Sequence, residues 1–343
     1  MSCKRILLIG SGERVRKAAL PVFEQADGFE IEGIVSRTPK TIQSGGKDYE
    51  VRGMDSLSPA RMGEIDLVYM VVKKPAVPPV LRQLAQFDCS NIDILIETPV
   101  MLVRHLGHRN LLDGFRNAWV SEDCETLPCL DAVKTLFASG ALGELQGAHL
   151  DRSAYAYHGM AMIKSALGAA SIRSARQTKL AGGTRERTVT VSNGLRASVR
   201  DPRDYSLGTL AFHGSTGTVS DAPDRDTADL LLEAIVDDGI CRGFRAGDAV
   251  RELSEGESRL MGARGEGIGV TAWMDGMKRV GFLALMARIR NGAGAYPLSS
   301  AIEDSVVDYY LEKFGRYRAT PFTSPNAALP RFAFSLLTKL TDR

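Results

Sequence analysis

The chain has no apolar run approaching the ~20 residues needed to cross a bilayer as a helix. Its first such run, residues 6–9 behind Lys4 and Arg5, is too short for a signal-peptide core. Cysteine is scarce. The five residues (Cys3, Cys89, Cys124, Cys129, Cys241) are odd in number and lack Cys-x-x-Cys spacing, which argues against a disulfide framework or a zinc site. Free thiols in a reducing cytoplasm are expected instead. No sign of charge dominates: a formal net charge of +2 over 343 residues points to neither nucleic acid nor a membrane surface as partner. The five histidines are scattered, so their spacing suggests no bound metal. Repeats and low-complexity tracts are absent too. What is present is an ordinary globular composition, 44% hydrophobic and 24% charged, on a chain long enough for two cored domains.

The most informative stretch is Lys4-Arg-Ile-Leu-Leu-Ile-Gly-Ser-Gly12. A short apolar strand runs into a Gly-Ser-Gly turn, and residues 13–23, opening with Glu13 and Arg14, have helical patterning. A strand–turn–helix of this kind aims backbone N–H groups and a helix dipole at one point, a seat for a pyrophosphate. Gly10 makes the tight turn, Ser11 lies at its apex, and Gly12 lets the backbone approach the phosphates. The third glycine of the dinucleotide fingerprint is replaced by Val15. A second strand over residues 29–35 ends in Ser36-Arg37-Thr38. A carboxylate there would bind the ribose hydroxyls of NAD. Two hydroxyls and a guanidinium suit a 2′-phosphate, so NADP(H) is expected, with NAD(H) as the alternative.

Strand and helix patterns alternate through the first 120 residues. Runs at 66–72 and 92–96 are short and rich in Ile and Val, as buried parallel strands are. Helices are expected at 77–87 and 102–115, and a last strand at 118–121. That is a doubly wound α/β sheet, a Rossmann domain over residues 1–121. After a helix at 127–138 the character changes. Strand-like segments at 144–150, 171–179, 187–191, 195–199, 206–212 and 216–220 follow without intervening helices, which predicts an α+β domain with an open, mainly antiparallel sheet over residues 122–318. Residues 229–254 read either as a helix or as a hairpin. Helices at 271–290 and 299–314 close the domain. The tail, residues 319–343, either packs on a neighbour or returns to the first domain.

These motifs, in this order, resemble the Gfo/Idh/MocA family of glucose–fructose oxidoreductases and inositol dehydrogenases over nearly the whole chain. Ile94-Leu-Ile-Glu97-Thr98-Pro99 is similar to the strand ending in the family's Glu-Lys-Pro motif. Ser121-Glu-Asp-Cys-Glu-Thr-Leu-Pro128 and Ala138-Ser-Gly-Ala-Leu-Gly-Glu144 resemble the segment opening its second domain. Tyr157-His158 through Gly168 falls where the family carries an active-site histidine, and Phe212-His-Gly-Ser-Thr-Gly-Thr218 resembles a glycine turn of its sheet. The resemblance implies hydride transfer between a nicotinamide cofactor and a small molecule held between the two domains, and a homodimer or homotetramer joined through the open sheet.

The departures narrow the chemistry. The family's Lys is Thr98 here, whose neutral hydroxyl polarises a reacting oxygen less than an ammonium does. Ala154 and Ala161 stand where acidic residues are common, and Lys73-Lys74-Pro75-Ala76 replaces a Thr-Pro-Asn turn. His158 is the candidate general acid, with Tyr155 and Tyr157 as flanking donors. Lys74 or Lys73, just beyond Val72 at a strand's carboxyl edge, is placed to restore the missing charge or to bind cofactor phosphate. Glu97 is a candidate to orient the nicotinamide ribose or Thr98, and Glu122 and Asp123 to contact substrate. This set favours reduction of a C=N or activated C=O group. Sugar or cyclitol dehydrogenation is the alternative within the family. A catalytically degenerate nucleotide-binding or regulatory subunit is the alternative outside it, favoured by Val15, Thr98, Ala154 and Ala161.

Overall fold

The computed structural model describes residues 3–222 and 228–341. They form two compact units, both discontinuous in sequence. Residues 3–122, 282–305 and 325–341 make the first, and 123–222, 228–281 and 306–324 the second. The expected division into consecutive segments 1–121, 122–318 and 319–343 differs from this. Two long helices, Met274–Arg290 and Leu298–Phe314, each change unit partway along their length, and nothing in their helical pattern marks the change.

The first unit is built on strands β1 (Lys4–Ile9), β2 (Phe29–Ser36), β3 (Lys40–Ser44), β4 (Lys47–Gly53), β5 (Leu67–Met70), β6 (Asp93–Glu97), β7 (Asn117–Ser121) and β17 (Tyr296–Pro297). Their order is β17-β7-β6-β5-β1-β2-β4-β3. The six strands from β7 to β4 pair in parallel, and only the two edge strands are antiparallel. Ile6–Leu8 and all four residues of β5 are fully buried, because a parallel sheet covered on both faces has no solvent side. The order reverses between β1 and β5, so the Gly10-Ser11-Gly12 turn leaves β1 at the topological switch point where open α/β sheets bind ligands.

Two local expectations fail here. Residues 102–115 form 3₁₀ turns, Val103–Gly114, rather than an α-helix; Gly107, His108 and Asn110 give the segment poor helix propensity. The β3–β4 hairpin is an addition. Its Gly45-Gly46 turn has φ of +56° and +77°, the mirror-image turn that only glycine takes without strain.

The second unit carries strands β8 (Leu145–Asp151), β9 (Ile172–Lys179), β10 (Arg185–Val191), β11 (Arg196–Asp201), β12 (Thr209–Gly214), β13 (Thr218–Ser220), β14 (Leu230–Asp237), β15 (Ile240–Ala246), β16 (Ala249–Glu252) and β18 (Arg316–Arg318). The sheet order is β16-β15-β14-β13-β12-β8-β11-β10-β9-β18. It is mainly antiparallel, with parallel pairs only at β8·β11 and β13·β14 among the described residues. The ambiguous stretch from 229 to 254 holds three strands, β14 to β16, joined by two tight turns, and no helix. The Asp238-Gly239 turn, with φ of +48° and +72°, closes the β14–β15 hairpin. Helix Ala156–Ala166 packs on β8 and β11.

Arg187 on β10, its side chain 3% exposed, reaches Asp308 and Glu312 at 2.6 Å each and Asp201 at 3.3 Å, joining the sheet to helix Leu298–Phe314. The tail returns to the first unit, where helix Ala328–Thr341 packs against the 103–114 turns. Residues 342–343, the last of the expected tail segment, lie outside the described residues.

Candidate functional site

The carboxyl edge of the parallel sheet collects most of the expected cofactor residues. Gly10 has φ +125°, and a Cβ on it would lie 2.0 Å from the carbonyl oxygen of Val71. Glycine is therefore required at that position by the neighbouring β5 loop alone. Gly12 differs: a Cβ there meets nothing within 4 Å, so its glycine leaves open space beside the first turn of the helix over 13–23. The N–H groups that open a helix have no carbonyl four residues back within it, and at such a start they suit a phosphate. Val15, in place of the third glycine, begins a π-helical turn, Val15–Ala19, and is fully buried. The wider turn falls where close helix–strand packing would otherwise demand glycine.

At the end of β2, Ser36 donates to the carbonyl of Thr38 at 2.8 Å, tightening the turn. Arg37 and Thr38 project into solvent, and Arg37 has no ion pair among the described residues. A buried structural arginine would be paired; this one is left available.

Glu97 closes β6 and is held from three sides. Its carboxylate accepts from the Tyr69 hydroxyl and pairs with Arg14 Nε at 3.2 Å, while its carbonyl accepts from Lys74 Nζ at 2.8 Å. Arg14 also lies over the ring of Phe282, 5.7 Å from its centroid. Tyr69 is fully buried; that burial, then the Glu97 charge, raise its phenol well above the ordinary value. Burial lowers the Lys74 ammonium to about 8, against the opposing pull of the Glu97 and Glu122 carboxylates. Beside it, Thr98 Oγ1 is buried without a hydrogen-bond partner among the described residues. Val72 is half-buried, and Lys73 and Pro75 are exposed on the loop before the 3₁₀ turn Lys74–Ala76. Lys73 therefore stays in solvent while Lys74 turns inward to the Glu97 carbonyl. Glu122 is buried and closes this part of the first unit.

In the second unit, His158 lies in the first turn of helix Ala156–Ala166 and is 7% exposed. The next residue, Gly159, lets the helix approach β11 so closely that a Cβ would meet Val199 at 3.0 Å. Tyr157 packs on His158 with centroids 4.4 Å apart, and Tyr155 stacks on Tyr157 at 6.3 Å. Ligand atoms of Asp123, Cys124 and His158 come within 4.8 Å of one another, all three residues buried. A carboxylate, a thiol and an imidazole so grouped can pass a proton or hold a divalent cation. Histidine spacing along the chain did not disclose this group, because two of its donors come from the 3₁₀ turn Asp123–Thr126. Ala154 and Ala161 are fully buried core positions.

The sequence reading also missed Arg203 and Tyr205. Arg203 lies 4.0 Å from the Tyr155 ring centroid and 4.8 Å from that of Tyr205, and donates to the Tyr205 hydroxyl at 3.3 Å. Burial raises the Tyr205 phenol, against the lowering charges of Lys278 and Arg203.

No family model and no curated protein matches the sequence. Solved structures do match along nearly the whole chain. The scyllo-inositol dehydrogenase of Lactobacillus casei superposes with a TM-score of 0.61 at 11% identity, covering 93% of this chain and 99% of its own. The myo-inositol dehydrogenase of Corynebacterium glutamicum gives 0.61 at 14%, covering 94% and 100%. An oxidoreductase of Agrobacterium radiobacter, solved with NAD+, L-tartaric acid and magnesium, gives 0.62 at 13%, covering 92% and 98%. A mostly parallel sheet in one unit and a large mainly antiparallel sheet in the other make the fold that these solved structures share. It is the fold of the Gfo/Idh/MocA-type proteins, the family whose motifs the sequence resembles.

Proposed function

We propose that the protein is an NADP(H)-dependent oxidoreductase acting on a small molecule by hydride transfer. The observation that carries this is the pairing, on one sheet edge, of open space at Gly12 with an unpaired Arg37 at the end of β2. The first fits a pyrophosphate against backbone amides, and the second fits a 2′-phosphate through charge-assisted bonds. Ser11, Glu13 and Arg14 flank the first seat, and Ser36 and Thr38 line the second. The orphaned Thr98 hydroxyl, with Lys74 and Glu97 beside it, fits a polar ligand group at the same edge. Bound NADPH would supply the hydride, and its oxidation balances the two-electron reduction of a C=N or activated C=O bond.

In this reading His158 holds the proton that reaches the nitrogen or oxygen of the reduced bond. Tyr157 and Tyr155 wall one side of the imidazole, and Asp123 and Cys124 set its hydrogen-bonding state. Lys74 supplies a positive charge at the end of β6, where Thr98 has none. That cation also supports the second reading, sugar or cyclitol dehydrogenation, because removing hydride from an unactivated alcohol needs a charge beside the reacting oxygen. Association through the open face of the second unit's sheet into a homodimer or homotetramer completes the proposal.

Titrating the protein with NADPH and NADH by fluorescence quenching tests the reading. NADPH is expected to bind more tightly than NADH. Failure of both to bind at millimolar concentration would leave only a non-redox role for the fold.

A further inference from the structure

The second unit contains a cation, Arg203, that two aromatic rings hold and that makes no ion pair among the described residues. Several arginines of this unit carry ion pairs: Arg152 with Asp151, Arg185 with Glu312, Arg187 with Asp201 and Asp308, and Arg200 with Glu186. Arg203 is half-buried, and among the described residues it makes no ion pair. Its guanidinium is held by the faces of Tyr155 and Tyr205, and one amino group is spent on the Tyr205 hydroxyl. The Asp275 carboxylate acts on it only at longer range. Two aromatic faces fix the plane of the group and partly desolvate it, and the remaining N–H edge has no acceptor among the described residues.

The surroundings tie this cation to the histidine. Tyr155, 45% exposed, stacks on Tyr157, which packs on His158; on the other side Tyr205 senses the charges of Cys124 and Lys278. Seven side chains thus form one neighbourhood, with a proton-carrying group at one end and a planar cation without an ion pair at the other.

We propose that Arg203 binds a carboxylate of the substrate, so that the molecule reduced is a 2-oxo or 2-imino acid or a close relative. The guanidinium fork matches a carboxylate with two parallel hydrogen bonds, an arrangement neutral sugars cannot offer. The tyrosines cover the faces of the guanidinium and hold the fork in one plane, and Lys278 adds positive charge on the Tyr205 side. This inference rests on the oxidoreductase reading for the identity of the reacting group, but the carboxylate seat is a property of the second unit alone.

Isothermal titration of the full chain with oxalate tests the seat without turnover, and inorganic phosphate serves as the competing anion. Oxalate is expected to bind the wild-type protein and to lose affinity by about tenfold or more in Arg203→Met, with Arg203→Lys in between and phosphate weaker than oxalate. NADPH affinity, measured separately, is expected to stay unchanged in both variants. Equal oxalate affinity in wild type and Arg203→Met overturns the proposal, as does absence of oxalate binding to the wild-type protein. Phosphate binding more tightly than oxalate also overturns it, in favour of a phosphate seat. Should Arg203→Met fail to fold, Arg203→Lys decides by the same comparison. Loss of NADPH binding with oxalate binding intact removes the oxidoreductase reading and leaves the carboxylate seat supported.

Discussion

The ammonium of Lys74 donates to the carbonyl oxygen of Glu97 at 2.8 Å, joining the ends of two adjacent parallel strands. Lys74 thereby brings a positive charge to the backbone of the residue preceding Thr98. If that charge assists reduction, Lys74→Met lowers kcat/KM by about 100-fold or more while NADPH affinity changes little. Burial has lowered the amine to about 8, so the assisting cation is lost above that pH and activity is expected to fall there. Lys74→Arg, which stays charged, should carry activity to higher pH; an unchanged profile would exclude Lys74 as the titrating group.

The same lysine makes a prediction about stability. Its folded-state value, about 8, lies below the ordinary 10.5, so the unfolded chain binds more protons between those pH values. Stability contributed by this group therefore rises with pH across that window and is at its lowest below pH 8. Lys74→Met removes the burial cost and should stabilise the protein by about 2–3 kcal/mol at pH 7, with the gain vanishing near pH 10.5. Urea denaturation at the two pH values checks it.

Gly10 and Gly12 should respond oppositely to alanine. Gly10→Ala forces a Cβ onto the Val71 carbonyl at a backbone angle hostile to side chains, and a loss of about 3 kcal/mol or more is expected in chemical denaturation. Gly12→Ala meets no protein atom, so stability should hold while NADPH binding weakens.

Arg37→Ala is expected to weaken NADPH binding by about 1–3 kcal/mol and to leave NADH nearly unaffected, read by competitive fluorescence titration. His158→Ala should lower kcat far more than it changes cofactor affinity; equal losses in both would contradict its place as proton donor.

Arg187→Met leaves Asp201, Asp308 and Glu312 facing one another and should cost about 3–5 kcal/mol at neutral pH. Burial raises Asp201 and Asp308 above the ordinary carboxylate value, so the folded state holds protons more tightly and stability falls as pH rises through that window. Removing the guanidinium extends the window upward. The variant's deficit should accordingly be smaller at pH 5 than at pH 7, measured by thermal unfolding.

Much of this architecture could be read from local pattern. The parallel strands are short apolar runs because both their faces are buried, and Ile6–Ile9, Leu67–Met70 and Asp93–Glu97 all appear where such runs stand. The antiparallel sheet was legible from strands succeeding one another without helices. Two hairpins, at Gly45-Gly46 and Asp238-Gly239, carry glycine turn signals, but the residues flanking them alternate too weakly to declare strands. The 3₁₀ segment at 103–114 has a helix-like apolar spacing, which does not by itself distinguish a 3.6-residue turn from a tighter one.

By itself the sequence determined the two-sheet class and the glycine turn, since periodicity, strand composition and backbone freedom act over a few neighbouring residues. The tertiary structure alone decided which lysine turns inward to Glu97, that Arg203 rests between Tyr155 and Tyr205, and that Asp123 and Cys124 meet His158. Those relationships join residues far apart along the chain, and packing selects them through burial and charge, which no local pattern records.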